Sequence, residues 1–288
     1  MRYIFFGNGY ITKSLVKYYD DKSKIIVFSK THSSFPYTLF SFDITTGKQV
    51  EFSFQNDDVL IYSIALKTPG SNYLIEEINA ELEALLNFID IAKSKKVGRI
   101  VLISSASIYG FGKEPFHEHS PYNPQNSYGR LKVEMEKLFF EKMKTHMVPF
   151  NIFRISNVYG SVRSRQGVIN LILFSIKDNN HVMINNGGKD IRDFIYDKDL
   201  SLMFFKLLSS SPTSIIYNLS SFRATKIFDV VHTIISLNSL FKDKLQYLDE
   251  NLTVSVSVLD NTLIKRELHE LKTESIKDSI KEILDEIC

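Results

Sequence analysis

Cysteine and tryptophan are nearly missing from the sequence: among 288 residues there is one cysteine, Cys288, and no tryptophan. A single cysteine cannot close a disulfide within the chain, which excludes the disulfide-framed class of small secreted proteins. Low cysteine usage is typical of proteins from reducing compartments, and we therefore expect a cytoplasmic protein.

A strong charge of either sign is missing too. The chain has 35 basic and 33 acidic residues, which leave a formal net charge of +2 and are spread along its whole length. Binding to a nucleic acid normally needs a basic stripe or patch, so we expect no nucleic-acid partner. No apolar run approaches the roughly 20 residues that a membrane-spanning helix requires. Met1 and Arg2 lead directly into a short strand pattern instead of a signal peptide, so we also expect no membrane partner.

Clusters of metal-binding side chains are a third absence. His117 and His119 alternate as two metal ligands would, but no cysteine or third histidine stands at a convincing spacing from them. We therefore expect no metal site. What the sequence does have is a hydrophobic content of 44%. This is enough for a large core, either in one extended domain or in a large domain with a smaller one packed on it.

Two hydroxyls and an ammonium are the chemistry-bearing groups of the stretch from 104 to 132. Ser105 closes the apolar run Arg99–Ile103, which reads as a buried strand. Its hydroxyl should therefore emerge at the carboxyl end of that strand, where open α/β sheets bind their ligands. Tyr128 and Lys132 are four residues apart in a stretch with helical apolar spacing, so the phenol and the ammonium should project from one helix face.

This trio predicts proton-transfer chemistry. A free phenol has a pKa of about 10, and a nearby cation favours the phenolate, so Lys132 should bring Tyr128 closer to working pH. Tyr128 could then act as general acid or base, while Ser105 holds a substrate oxygen and Lys132 also binds the hydroxyls of a cofactor ribose. The alternative interpretation is a surface helix with a solvated lysine.

A short apolar strand pattern, Tyr3–Phe6, leads into a glycine-containing turn and then into a helical pattern. Backbone N–H groups at the start of such a helix can face a pyrophosphate, so the turn predicts a dinucleotide site. Thr12 replaces the third glycine of the usual fingerprint and puts a branched side chain where helix and strand pack closely. The candidate cofactor-binding residues in this turn are Gly7, Asn8, Gly9, Tyr10 and Ile11.

Five motifs in this order resemble those of the extended short-chain dehydrogenase/reductases, in particular the branch of nucleotide-sugar epimerases, dehydratases and reductases. The resemblance covers nearly the whole chain. The motifs are Gly7–Thr12, Ser104–Gly110, Tyr128–Lys132, Arg154–Gly160 and Arg192–Tyr196.

The resemblance implies an α/β fold, a Rossmann-type doubly wound parallel sheet with a smaller C-terminal α/β substrate-binding cap. Residues 1–160 would form the dinucleotide-binding domain. Residues 161–288 would form mainly the substrate cap, with some segments returning to the main sheet. In this family the equivalents of the helical stretches 73–94 and 127–146 form a dimer contact, so a homodimer is implied as well.

The resemblance also indicates where the adenosine part of the cofactor would lie. Members that prefer NAD carry an acid after the second strand, but this chain has Ser29 followed by Lys30, Thr31 and His32. These donors suit a 2′-phosphate, so we expect NADP, with NAD as the alternative; a solvated loop is the other interpretation. Asp43 and Ile44 resemble the end of the family's third strand, near the adenine, although Asp43 could equally be a turn residue.

Two further residues are implied to bind substrate. Asn157 matches a family residue that touches the substrate, and Arg192 matches an arginine that pairs with the substrate diphosphate, a role suited to a guanidinium fork. The alternative for Arg192 is a structural pair with Asp190 or Asp193.

The implied reaction is hydride transfer between a nicotinamide and C4 of a nucleotide-linked sugar. A 4,6-dehydratase of this family usually has an Asp-Glu pair directly after the catalytic hydroxyl, and here those positions are Ala106 and Ser107. A 4-epimerase or a 4-keto-sugar-nucleotide reductase remains, and the missing acid after the second strand favours an NADPH-dependent reductase. A non-catalytic dinucleotide sensor or interaction protein is a different class of hypothesis, although such proteins commonly lose Tyr128 or Lys132.

Overall fold

The structure is a computed structural model that describes residues 1–31, 35–67, 72–164, 166–210, 216–248, 252–269 and 272–287. Two residues singled out in the sequence, His32 and Cys288, lie outside these residues.

Strands and helices alternate through most of the chain. The strands are β1 (Tyr3–Phe6), β2 (Ile25–Ser29), β3 (Thr38–Ser41), β4 (Val59–Tyr62), β5 (Arg99–Ser105), β6 (Phe150–Ile155), β7 (Asn157–Tyr159), β8 (Val182–Ile184), β9 (Ile191–Tyr196), β10 (Ile216–Leu219), β11 (Ala224–Lys226), β12 (Leu245–Tyr247) and β13 (Val256–Ser257). The helices are α1 (Tyr10–Lys17), α2 (Ile75–Ser94), α3 (Ser127–Met143), α4 (Val168–Lys177), α5 (Asp197–Ser209), α6 (Ile227–Leu237), α7 (Thr262–Glu267) and α8 (Ile276–Ile287).

The chain divides into two compact units, each built from several stretches of sequence. Unit 1 comprises Met1–Gly110, Tyr122–Arg154 and Pro212–Tyr217. Unit 2 comprises Phe111–Pro121, Ile155–Ser211 and Asn218–Cys288.

A seven-stranded sheet in the order β10-β6-β5-β4-β1-β2-β3 forms the framework of unit 1. Strands β3, β2, β1, β4 and β5 pair in parallel. The chain runs from β1 outward to β2 and β3 and then returns to β4 on the other side of β1. This reversal is the topological switch point at which such sheets bind ligands. The predicted doubly wound parallel sheet is thus confirmed.

The sequence explains why these strands lie at the centre. Strands β1, β2 and β4 are continuous apolar runs that are buried on both faces, as expected of parallel strands covered by helices. Helices α2 and α3 contribute their apolar stripes to the same core, through residues such as Leu85, Phe88, Leu131 and Met135. Strand β4 ends at Tyr62.

Unit 2 has its own sheet and its own core. Strand β9 pairs with β11 in antiparallel orientation and with β13 and β7 in parallel orientation. Strands β8 and β12 form a separate parallel pair. The core gathers side chains from α4, α6, α8 and the strands, including Ile172, Phe194, Val231 and Ile283.

Two absences hold for the described part of the chain. None of its helices is long and apolar enough to cross a membrane. Nor does it bring together three or more histidine, cysteine, aspartate or glutamate side chains that could hold a metal ion.

Candidate active site

Ser105 is the last residue of β5, as its position after an apolar run predicts. Its backbone is extended, and its hydroxyl accepts a hydrogen bond from the N–H of Ser107 at 3.2 Å. The same hydroxyl lies 3.1 Å from the hydroxyl of Ser107. The tight turn that follows the strand therefore fixes the Ser105 side chain at the carboxyl edge of the sheet.

Helix α3 begins directly against this turn. Asn126 caps the helix by accepting a hydrogen bond from the N–H of Gly129 at 2.7 Å. A Cβ atom at Gly129 would lie only 2.5 Å from the carbonyl oxygen of Ser107. A glycine is required here because any side chain would push the first turn of α3 away from the end of β5.

Tyr128 and Lys132 both lie on the buried face of α3. The ammonium nitrogen of Lys132 is 5.8 Å from the centroid of the Tyr128 ring, as their spacing of four predicts. A hydrogen bond to the Ser105 hydroxyl lowers the pKa of the Tyr128 phenol. The structure thus brings Ser105, Tyr128 and Lys132 together within unit 1.

The protonation of this pair differs from the expectation. Burial raises the pKa of Tyr128 to about 12, and the hydrogen bond with the Ser105 hydroxyl, which acts in the opposite direction, does not offset that effect. Burial also lowers the pKa of Lys132. The prediction that Lys132 brings the phenol closer to neutral pH is therefore wrong for this arrangement, because desolvation penalises both charged forms.

Glu81 is a buried acid near this pair that sequence reasoning missed. It lies on α2 with 1% of its surface exposed. Its negative charge adds to the effect of burial on the pKa of Tyr128 and opposes the larger effect of burial on the pKa of Lys132. The sequence signal was available, because Glu81 falls within the apolar stripe of an amphipathic helix. A carboxylate in such a stripe needs a partner inside the protein.

Arg154 and Glu136 form a second buried charge cluster that the sequence did not reveal. Their Nη2 and Oε2 atoms lie 2.7 Å apart, with 2% and 1% of the two side chains exposed. Glu136 also accepts from the hydroxyls of Ser104 and Tyr122, and Arg154 donates to the hydroxyl of Tyr109 at 2.7 Å. The cluster ties β5, α3 and β6 together directly behind Ser105.

The turn between β1 and α1 has the backbone that a pyrophosphate requires. Gly7 adopts a φ of +119°, and a Cβ there would lie 3.0 Å from atoms of Ser63 and Ile64. A Cβ at Gly9 would meet nothing within 4 Å. The space in front of Gly9 and the first N–H groups of α1, which begins at Tyr10 and Ile11, therefore fit a dinucleotide.

Thr12 is accommodated in place of the third glycine. Its side chain is fully buried, and its hydroxyl donates to the carbonyl oxygen of Gly7 at 2.8 Å and lies 2.7 Å from the hydroxyl of Ser63. The threonine thus fastens the turn to the end of β4. Asn8 is held on the other side, by a hydrogen bond from Tyr37 and by its own donation to the carbonyl of Thr31 at 3.3 Å.

The residues predicted to surround the adenosine lie at the ends of β2 and β3. Ser29 accepts a hydrogen bond from the N–H of Thr31 at 3.1 Å. Lys30 is 76% exposed and forms an ion pair with Asp43 at 2.9 Å. Asp43 also accepts hydrogen bonds from the N–H and the hydroxyl of Thr45. These hydrogen bonds and the Lys30 ammonium hold the pKa of Asp43 below its ordinary value. Asp43 thus caps a turn, and Ile44 beside it is buried.

The two predicted substrate-binding residues lie in unit 2. Asn157 begins β7 and donates to the carbonyl oxygen of Asp193 at 2.9 Å. Arg192 donates to the backbone carbonyl and the hydroxyl of Ser255, both at 2.8 Å. Its guanidinium also lies 3.8 Å from Asp190 and 5.0 Å from the centroid of the Phe111 ring. Burial lowers the pKa of Arg192, and its role toward a substrate stays a prediction.

The chain is similar to proteins of one family in sequence and in fold. The model of the NAD dependent epimerase/dehydratase family matches residues 6–220. A dTDP-D-glucose 4,6-dehydratase of Dictyostelium discoideum is 22% identical over 81% of this chain and 61% of its own length. A putative UDP-glucose 4-epimerase of Methanocaldococcus jannaschii is 24% identical over 63% of this chain and 62% of its own length. The chain spans between 24% and 62% of the length of six other curated relatives that it matches.

A solved structure shows the same fold over the whole length. The UDP-glucuronic acid 4-epimerase of Bacillus cereus, in complex with UDP-glucuronic acid and NAD, superposes with a TM-score of 0.82. The alignment covers 100% of this chain and 99% of that one at 16% sequence identity. The family match extends over well more than half of the sequence, from the first glycine turn through the Ser105, Tyr128 and Lys132 motifs. The chain therefore belongs to the NAD dependent epimerase/dehydratase family.

Proposed function

We propose that the protein is an NADPH-dependent oxidoreductase that reduces the C4 ketone of a nucleotide-linked sugar. The observation that carries the proposal is the meeting of Ser105, Tyr128 and Lys132 at the carboxyl edge of the sheet, beside the switch point. Family membership supports the dependence on a nicotinamide cofactor.

Each side chain of the trio has a separate task in this proposal. Ser105 donates a hydrogen bond to the C4 oxygen and so orients the sugar. Tyr128 gives its phenolic proton to that oxygen as negative charge develops on it. Lys132 stabilises the phenolate that forms and has donors left for the ribose hydroxyls of the cofactor. A bound nicotinamide supplies the hydride.

The protonation state of Tyr128 favours reduction. A phenol whose burial raises its pKa to about 12 is protonated at neutral pH. It is therefore a ready proton donor, which is what the reduction of a ketone needs. Oxidation of an alcohol would instead begin from the phenolate, which the buried environment disfavours.

The choice of NADPH rests on the end of β2. Ser29 stands where a carboxylate would hold a ribose 2′-hydroxyl, and the exposed Lys30 follows it. A serine does not repel a 2′-phosphate, and a lysine can approach it once it leaves its pair with Asp43. NAD is the alternative cofactor, since the family model is of an NAD-dependent group.

The residues after Ser105 argue against dehydration. Ala106 is buried and has no acidic group, and Ser107 is engaged with the hydroxyl of Ser105. The pair of acids that a 4,6-dehydratase of this family usually has after its catalytic hydroxyl is therefore missing from this turn.

Unit 2 is the proposed substrate-binding part of the chain. Asn157 and Arg192 lie on its paired strands β7 and β9. Ser255 and Asp190 hold the guanidinium of Arg192 in one orientation. A guanidinium fixed in this way is suited to binding a diphosphate. The predictions of a homodimer and of a cytoplasmic location belong to the same proposal.

A nucleotide-sugar 4-epimerase is the second candidate. The similarity to a putative UDP-glucose 4-epimerase over 63% of the chain supports it. An epimerase returns the hydride that it takes, so its cofactor stays bound and no reduced nicotinamide is consumed.

One screen separates the candidates. UDP-, GDP-, CDP- and dTDP-hexoses and their 4-keto derivatives are incubated with the purified protein and NADPH or NADH, and the absorbance of the reduced nicotinamide is followed. A reductase consumes the reduced cofactor only with a 4-keto sugar. Interconversion of C4 epimers without net change in that absorbance would establish the epimerase instead.

A further inference from the structure

Glu81 is a buried carboxylate that none of the roles above uses. It lies on α2, in unit 1, and is 1% exposed. Its Oε2 atom is buried and has no hydrogen-bond partner among the described residues. A buried charge without full hydrogen bonding is costly, so it is kept only where a cation or a function compensates for it.

The other carboxylate oxygen, Oε1, contacts two residues that follow β4, Leu66 and Tyr73. The N–H of Leu66 donates to Glu81 Oε1 at 2.5 Å, and the hydroxyl of Tyr73 lies 3.4 Å from the same atom. The Tyr73 hydroxyl also donates to the carbonyl of Lys67 at 3.2 Å. The ring centroids of Tyr73 and Tyr128 are 6.3 Å apart, so Tyr73 lies between Glu81 and the catalytic phenol ring.

The charges around Glu81 and Lys132 come from three elements. Glu81 on α2 and Glu136 on α3 each raise the pKa of Lys132 and oppose the effect of burial on it. Lys132 in turn lowers the pKa of Glu81, which burial raises. Burial raises the pKa values of Tyr62, at the end of β4, and of Tyr128, on α3, and the negative charge of Glu81 adds to this effect.

Glu136 cannot replace Glu81 as the counter-charge of Lys132. Its carboxylate is already bound by the guanidinium of Arg154 at 2.7 Å and by the hydroxyls of Ser104 and Tyr122. Among the described residues, Lys132 is the cation whose charge opposes the effect of burial on the pKa of Glu81. Lys132 is 5% exposed, so water contributes little to stabilising its charge.

We propose that Glu81 is a positioning residue that keeps Lys132 charged and Tyr128 protonated while it holds Leu66 and Tyr73 in place beside the site. The expected effect of Glu81 on kcat rests on the proposed function. Its expected effect on the titration of Lys132 does not. Without the negative charge, the buried ammonium loses its proton more readily and the phenol ionises more readily. Both changes remove the proton donor and its supporting cation as the pH rises.

The first experiment compares Glu81→Gln with wild type across pH. The amide keeps an oxygen to accept from Leu66 N–H and removes only the charge. We expect the alkaline limb of the kcat profile to move to lower pH, with kcat on that limb lower by roughly tenfold or more, the size of effect that a close opposite charge has on a buried cation. Glu83→Gln, an exposed glutamate two residues along the same helix, is the matched control and should keep the wild-type profile.

The conservative variant Glu81→Asp tests whether charge or shape matters. The shorter carboxylate keeps the charge, so its alkaline limb should stay near that of wild type even if KM rises. A wild-type profile in Glu81→Gln, or the same displaced limb in Glu81→Asp and Glu81→Gln, would overturn the proposal.

A second measurement needs neither cofactor nor substrate. The Lys132 side chain is followed by ¹³C NMR in lysine-labelled protein, with Lys132→Met used to assign its signal. We expect Lys132 to titrate at lower pH in Glu81→Gln than in wild type. If Glu81→Gln does not fold, the reciprocal effect is measured, and the Glu81 carboxyl should titrate at higher pH in Lys132→Met.

The two measurements also separate this proposal from the proposed function. An unmoved titration in the variants would overturn the role of Glu81 while leaving an active wild-type reductase in place. A displaced titration in a protein that turns over no nucleotide sugar would support the role of Glu81 and contradict the reductase.

Discussion

The ammonium of Lys132 lies 5.8 Å from the ring centroid of Tyr128, one helical turn earlier on the same buried face of α3. This spacing leaves the cation beside the ring while the phenol points toward Ser105. Because both groups are buried, their charged forms are disfavoured: burial raises the pKa of Tyr128 to about 12 and lowers the pKa of Lys132.

Removing the phenolic oxygen tests this pair most simply. We expect Tyr128→Phe to lower kcat by about 10² to 10⁴ and to change cofactor affinity little, because only the transferred proton is lost. Steady-state kinetics and cofactor titration measure the two effects. Tyr247→Phe, the same deletion at an exposed position of β12, is the control. A Tyr128→Phe enzyme that keeps more than about a tenth of wild-type turnover would disprove the assignment.

The end of β2 should decide cofactor preference. Ser29→Asp places a carboxylate where it can accept from a ribose 2′-hydroxyl and repel a 2′-phosphate. We expect the variant to shift preference toward NAD(H), as measured by binding titrations with both cofactors. Ser236→Asp on α6 carries the same charge change on an exposed helix residue and serves as control. Wild-type protein that binds NAD(H) at least about tenfold more tightly than NADP(H) would contradict the expectation.

The ion pair between Glu136 and Arg154 should matter for stability. Glu136→Gln leaves the Arg154 guanidinium buried without its counter-charge, so the free energy of unfolding should fall by roughly 3–5 kcal/mol. Denaturant unfolding measures this. Glu134→Gln breaks an exposed pair with Lys137 on the same helix and should cost only about 0–1 kcal/mol. Equal losses in the two variants would show that burial of the pair is unimportant.

Asp199 should make stability depend on pH. Burial raises its pKa to about 6 in the folded protein, against about 3.9 in an unfolded chain. The folded state therefore binds this proton more tightly, and its contribution to stability is present at low pH and lost as the pH rises from about 4 through about 6. Asp199→Asn should reduce this fall, measured by denaturant unfolding at several pH values.

Asp243→Asn, a substitution of an exposed residue, is the control for the unfolding measurements on Asp199→Asn. It makes the same change in a side chain at the protein surface and should keep the wild-type dependence. A wild-type fall in stability that persists unchanged in Asp199→Asn would assign the effect to another group.

Local patterns in the sequence predicted the framework of the site. The end of an apolar strand located Ser105, and a spacing of four residues located Tyr128 and Lys132 on one face of α3. Those relationships depend only on strand and helix geometry, which is local. The glycine turn after β1 followed from the same kind of pattern.

Other features could not be read from local patterns because they depend on contacts between distant residues. Glu81 meets the Tyr128 and Lys132 pair only after α2 and α3 pack together, and Glu136 meets Arg154 from another element. The protonation of Tyr128 was predicted in the wrong direction because spacing shows the neighbouring cation but not the burial. The sequence indicated that the branched side chain of Thr12 stands where helix and strand pack closely. In the structure its hydroxyl forms hydrogen bonds with the carbonyl oxygen of Gly7 and the hydroxyl of Ser63.

The central claim is that the chain transfers a hydride to C4 of a nucleotide-linked sugar while Tyr128 supplies the proton. Its most direct test uses NADPH that carries deuterium at the transferable position, with 4-keto nucleotide sugars as substrates and NMR detection of the product. We predict that the label is recovered at C4 of the reduced sugar with wild-type protein and accumulates there about 10² to 10⁴ times more slowly with Tyr128→Phe. Label that stays on the cofactor while C4 epimers interconvert, or label transfer by Tyr128→Phe at the wild-type rate, would contradict the claim.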